Sequence, residues 1–207
     1  MTLEPVGSRY FLGLDLGQAR DYSALAIAER RVERTGVKDP VTWLERTATR
    51  VIVSHLERFP LRLAYHDVVT RVAAIARSFK GQPFEVLLDS TGVGGVVREI
   101  LRRAQIGCTI YGVTITGGER VTVVPGGYHV PRHDLLSNLR VLLEQRQLEI
   151  DVPPEIGRLL EQEFLRWGCR SAHDDLVFAV ALACWKAGGQ PLPSNSGPLP
   201  LIYPKIR

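Results

Sequence analysis

The stretch Phe84-Glu85-Val86-Leu87-Leu88-Asp89-Ser90-Thr91-Gly92-Val93-Gly94-Gly95 decides how this chain is read. An apolar run of strand length ends on an acid, a glycine-rich turn follows, and the stretch from Val93 to Ala104 carries helical periodicity. A further strand at Cys108 to Val113 completes a β-α-β unit, the signature of parallel strands joined by a crossover helix. Upstream, Tyr10 to Leu16 reads as a buried strand, Ser23 to Glu29 as a second strand running back from a polar turn, and Val41 to Val53 as a third. A helix over His66 to Phe79 links them to the Phe84 strand. The expected fold class is α/β: a mixed central sheet, antiparallel in its first three strands and parallel thereafter, flanked by helices.

Downstream the text changes. Thr116 to Arg132 sets Gly117, Gly118, Pro125, Gly126, Gly127 and Pro131 around a short valine-rich run and reads as an exposed hairpin or flexible loop rather than core. Helices are expected from His133 to Gln145 and, after Pro153-Pro154, from Glu155 to Trp167, with a short segment at Leu148 to Asp151 between them. A last helix spans Asp174 to Lys186 and is ended by Gly188-Gly189. Residues 1–187 are expected to form one domain, and 188–207 a proline-rich extended or disordered tail.

With 207 residues, 45% hydrophobic and 23% charged, the chain suits one globular core. No apolar run reaches the ~20 residues of a membrane span, and no basic-then-apolar leader opens the chain, so neither a membrane nor secretion is expected. Cys108, Cys169 and Cys184 are odd in number and far apart, which fits neither a disulfide framework nor a zinc knuckle and points to a reducing, intracellular setting. The formal charge of +4 permits a nucleic-acid partner. All the basic residues except Lys38, Lys80, Lys186 and Lys205 are arginines; their planar fork suits phosphate, though a GC-rich coding sequence gives the same bias.

Three segments hold acids where acids are costly. Asp15 sits within Phe11-Leu12-Gly13-Leu14-Asp15-Leu16-Gly17, where it either caps the turn before Gln18 or meets a compensating charge. Asp89 ends a strand of the parallel region, where ligands of open α/β sheets gather, or it caps the following helix. Its neighbouring glycines do not follow the G-x-G-x-x-G spacing, and its charge opposes a phosphate there. His173-Asp174-Asp175 opens a helix that is apolar almost all round; the helix dipole accounts for one acid there, not for the whole group. If the segments converge, carboxylates ~4 Å apart repel by ~4 kcal/mol per pair at an effective dielectric of 20. Hard oxygen donors then call for Mg²⁺ or Mn²⁺, and two such ions suit phosphodiester hydrolysis.

Gly13-Leu14-Asp15 with Asp21-Tyr22-Ser23-Ala24, then Leu88-Asp89-Ser90-Thr91-Gly92-Val93-Gly94, then His173-Asp174-Asp175-Leu176 opening the last helix, resembles the nuclease domain of phage large terminase subunits. The resemblance runs in order through residues 10–187 and implies an RNase H-like, RuvC-like fold. It also implies a two-metal endonuclease, using Mg²⁺ or Mn²⁺, that cuts double-stranded viral DNA during genome packaging. Asp15 would be the central carboxylate, Asp89 a second, and Asp174 or Asp175 would complete the set. The implied partners are double-stranded DNA, a terminase ATPase domain, a small terminase subunit and the portal, in the host cytoplasm. Asp21 is read as turn geometry, and His173 as an orienting group or a neighbour of the cap.

Two departures from the family stand out. The ATPase signature G-x-x-x-x-G-K-[ST] does not occur in this sequence, and where many relatives carry a lysine after the flexible hairpin, Pro131-Arg132-His133-Asp134 stands. Arg120, Arg132 and Arg170 are the candidate DNA-backbone contacts. A RuvC-like junction resolvase would share the acids, and a non-enzymatic DNA- or portal-docking module would hold them for structure alone. An actin-like phosphotransferase would need about twice this length, and a Rossmann-type nucleotide binder would rest on Gly92-Val93-Gly94-Gly95 alone.

Overall fold

The computed structural model describes residues 5–17, 21–166 and 173–189. Strands β1 (Pro5–Asp15), β2 (Ala24–Lys38) and β3 (Glu45–Arg58) form an antiparallel meander. Helix α1 (Tyr65–Ser78) crosses to β4 (Phe84–Asp89), parallel to β1, and α2 (Gly94–Arg103) crosses to β5 (Thr109–Thr116), parallel to β4. Strand β6 (Thr122–Val124) hairpins into β7 (Gly127–Pro131), which lies parallel to β5. Helix α3 (Arg132–Glu144) then leads to β8 (Leu148–Ile150) at the opposite edge, parallel to β3, and α4 (Pro154–Arg166) and α5 (Asp175–Ala187) follow. The result is one 8-stranded mixed sheet of order β6-β7-β5-β4-β1-β2-β3-β8.

Strand alternation splits the core between the two faces of this sheet. Leu12, Leu14, Leu25, Ile27, Val86 and Leu88 pack toward α1 and α2, while Phe11, Ala24, Ala26, Ala28, Val53 and Leu87 pack toward α3 and α5. The α5 side is lined by small residues, so that helix, buried from Asp175 to Trp185, lies close on the sheet. At Gly13 a Cβ would run into the Ala179 carbonyl oxygen and the Ala183 nitrogen. A glycine is required there to seat α5 against β1.

Several boundaries differ from the sequence reading: β1 starts at Pro5 rather than Tyr10, β2 runs on to Lys38 rather than ending at Glu29, and β5 runs on to Thr116 rather than Val113, because pairing with neighbouring strands extends each of them. Val41 belongs to a turn and is 84% exposed: Asp39 Oδ1 accepts the N–H groups of Val41 and Thr42, each at 3.0 Å. The third strand therefore begins at Glu45 and runs on to Arg58. Thr116 to Arg132 does contain a hairpin, yet the segment is not outside the core. β7 inserts beside β5 with Tyr128 and Val130 buried, since its backbone groups complete the sheet and its alternate side chains meet α3 and α5. Residues 190–207, most of the expected tail, and Arg170 lie outside the described residues. Among the described residues no helix is long and apolar enough to cross a membrane.

Candidate active site

Register brings the first two acids together. β1 and β4 run parallel with Gly13 opposite Leu87 and Leu14 opposite Leu88, so one further step sets Asp15 beside Asp89 at the carboxyl ends of neighbouring strands. Such strands lie ~4.8 Å apart. Alternation along Phe11, Gly13, Asp15 and along Leu87, Asp89 turns both acids to the α5 face, and α5 begins there with Asp174 and Asp175. Asp15, Asp89, Asp174 and Asp175 thus line one open cleft of about 540 Å³, together with Asp21, Tyr22, Thr91, Gly92, Arg132 and His173.

The acids are not equivalent. Burial pushes the Asp15 carboxyl well above the usual carboxylate range, and the charges of Asp89, Asp175 and Asp174 push it further. Burial likewise raises Asp89, against the partial relief of the Thr91 hydroxyl and backbone N–H. Burial raises Asp175 too, with the Arg58 guanidinium pulling it back. Asp174 is 38% exposed at its side chain and pairs with Arg132, Nη2 to Oδ2 at 2.6 Å. Asp175 is only 6% exposed and receives Arg58 Nε on Oδ2 at 2.7 Å. Among the described residues neither Asp15 nor Asp89 has a basic partner within ion-pairing distance.

The Thr91 N–H donates to Asp89 Oδ1 at 2.8 Å, which closes a local turn, but α2 begins at Gly94 and no side chain caps it at the N-cap residue Val93. Of the adjoining glycines, Gly94 serves close packing, since a Cβ there would collide with the Asp89 carbonyl oxygen, and Gly92 takes a left-handed φ of 63°. At α5 the N-cap residue is Asp174, and its side chain makes no capping hydrogen bond. His173 sets its ring edge-on to Tyr22 with centroids 5.2 Å apart, and Asp21 lines the cleft wall.

Arg132 enters the cleft, whereas Arg120 is exposed in the β5–β6 connection and does not line it. Arg58 and Glu163 were missed from sequence. Glu163 sits on the apolar stripe Ile156, Leu160, Phe164 of α4, where a charge is the available signal. Arg58 carried no such signal, because an extra residue at Ser54 shifts the β2–β3 register and turns Arg58 to the α5 face.

Among the described residues no three His, Cys, Asp or Glu side chains close into a ready-made metal shell. The two helix acids point their Oδ2 atoms at arginines. The donor chemistry of the cleft nonetheless fits a hard divalent cation: its acids are all carboxylates, and among the described residues no cysteine lines it and Asp15 and Asp89 have no basic partner. No protein-family model matches the chain, and no curated protein sequence matches it.

Proposed function

We propose that this chain is a metal-dependent endonuclease that hydrolyses phosphodiester bonds of double-stranded DNA, with the RNase H-like fold of a phage large terminase nuclease domain. The observation that carries this reading is the meeting of Asp15, Asp89, Asp174 and Asp175, far apart in the chain, in one open cleft. An antiparallel three-strand meander continued by parallel strands supports the same reading.

Asp15, Asp89 and an acid from the start of α5 would hold Mg²⁺ or Mn²⁺. When bound, two such ions activate a water and stabilise the leaving oxygen of the cut phosphodiester. The protein supplies the remainder. Asp15 and Asp89 are fixed side by side at the carboxyl ends of the paired strands β1 and β4. Arg132 at the cleft can exchange Asp174 for a backbone phosphate, which its fork matches. In the packaging role an ATPase domain, the small subunit and the portal deliver the DNA, in the host cytoplasm.

The test is plasmid cleavage by the purified chain in Mn²⁺ or Mg²⁺, with chelator and with Asp15→Ala and Asp89→Ala. Cleavage should require the metal and disappear in both variants while their circular dichroism matches the parent. Metal-independent cutting, or full cutting by either variant, overturns the proposal.

A further inference from the structure

Arg58 from β3, Glu163 from α4 and Asp175 from α5 meet behind the cleft. Arg58 Nε donates to Asp175 Oδ2 at 2.7 Å, and Arg58 Nη2 is in direct contact with Glu163 Oε1. The guanidinium also stands 5.0 Å from the centroid of the Tyr22 ring, which walls the same cleft. Glu163 and Asp175 are 7% and 6% exposed at their side chains, so two nearly dry carboxylates share one cation. A buried arrangement of that kind is a poor device for stability alone, since well-packed apolar residues do as well or better.

Its second contact suggests another use. Glu163 Oε2 accepts the Val177 N–H at 3.1 Å. That N–H lies three residues past the N-cap Asp174, and an N-cap aspartate ordinarily accepts it with its own side chain. Asp174 does not. Glu163, from a different helix, satisfies the donor in its place, so Asp174 is released to the cleft. Arg58 meanwhile holds Asp175 by one oxygen, and among the described residues no other side chain hydrogen-bonds that carboxylate.

We propose that Arg58 and Glu163 are positioning residues that together keep the two helix acids in the cleft, Arg58 by orienting Asp175 and Glu163 by capping α5 in place of Asp174, and that they thereby set its divalent-metal affinity. The proposal rests on the metal-dependent reading above. A cap supplied from α4 makes the aim of both acids depend on how α4 docks against α5. Second-sphere partners of this kind typically govern 10–100-fold in metal affinity.

The experiment is a Mn²⁺ titration of the full chain by electron paramagnetic resonance, without DNA, on the parent, Asp15→Asn, Glu163→Gln, Arg58→Lys and the double variant Arg58→Met/Glu163→Leu. The double variant removes the Arg58–Glu163 pair at similar volume and leaves neither of those two ions without its partner, while Asp175 loses the guanidinium that orients it. Its Mn²⁺ dissociation constant should rise 10–100-fold. Glu163→Gln, whose amide oxygen still accepts the Val177 N–H, should retain more affinity than the double variant. Arg58→Lys keeps the charge but loses the fork and should also weaken binding, so the outcome does not depend on one variant folding. In plasmid cleavage the weakened variants should lose kcat with little change in KM for DNA. Parent-like Mn²⁺ affinity in folded double variant or Arg58→Lys overturns the positioning proposal and leaves the nuclease reading standing. A parent that binds no Mn²⁺, or binds it as well after Asp15→Asn, overturns the nuclease reading itself.

Discussion

Arg132 Nη2 lies 2.6 Å from Asp174 Oδ2, while the same guanidinium stands over the Phe178 ring at 4.3 Å from its centroid. The pair is half open to solvent, 53% and 38% exposed at the two side chains, so it contributes only ~0–1 kcal/mol to stability. Its consequence is electrostatic: a fixed cation beside a cluster of acids competes with any other cation that the cluster attracts. Arg132→Gln should shift the unfolding free energy by less than about 1 kcal/mol in a urea titration. It should also tighten Mn²⁺ binding several-fold by calorimetry in the absence of DNA. Unchanged or weaker Mn²⁺ binding would show that Arg132 does not compete for Asp174.

Asp15 links stability to pH. Its folded pKa lies above the unfolded value near 3.8, so protonation favours the folded state. The associated stability is fully present below the unfolded value and is lost as pH rises through the folded one. Asp15→Asn removes the charge, so in chelator at neutral pH this variant should be more stable than the parent. Each kcal/mol of added stability reads as roughly 2–4 °C in Tm. The advantage should shrink as pH falls toward about 4. Thermal denaturation across that range checks it, and a destabilised variant at neutral pH would refute the cost assigned to the Asp15 charge.

Gly13 holds α5 against β1. Because a Cβ there meets backbone atoms of Ala179 and Ala183, which cannot swing aside, Gly13→Ala should cost ~1–3 kcal/mol or more in urea denaturation. Parent-like stability would mean that the helix lies farther from the strand.

Burial pushes the Cys184 thiol up to about 12 and the Cys108 thiol up to about 11. At about pH 8 only ~1 in 10,000 Cys184 thiols is then ionised, and the thiolate is the reactive form. Peptide mapping after iodoacetamide treatment should find Cys184 unmodified in the native protein and fully modified in denaturant. Native-state labelling of Cys184 would contradict its place inside α5.

Legibility from sequence varied with how local the cause was. α1 and β4 begin within a residue of the sequence reading, because amphipathic period and glycine punctuation are both local. β7 was not recognised as core, because Gly-Tyr-His-Val-Pro becomes a strand only through pairing with β5. The acids could be picked out singly, since each is a charge in apolar surroundings. Glu163 left a trace on the apolar stripe of α4, and Arg58 left none.

The amino-acid sequence by itself determined which segments have strand or helix period, that Asp89 ends an apolar strand, and that Asp15 is a charge among strand-like apolar residues. Those properties are set by neighbours a few residues away. Tertiary structure alone decided that β1 and β4 are adjacent and in register, that the extra residue at Ser54 turns Arg58 toward α5, and that Glu163 replaces Asp174 at the helix start. Each of these depends on packing between segments distant in the chain, where a one-residue slip sends a side chain to the other face of the sheet.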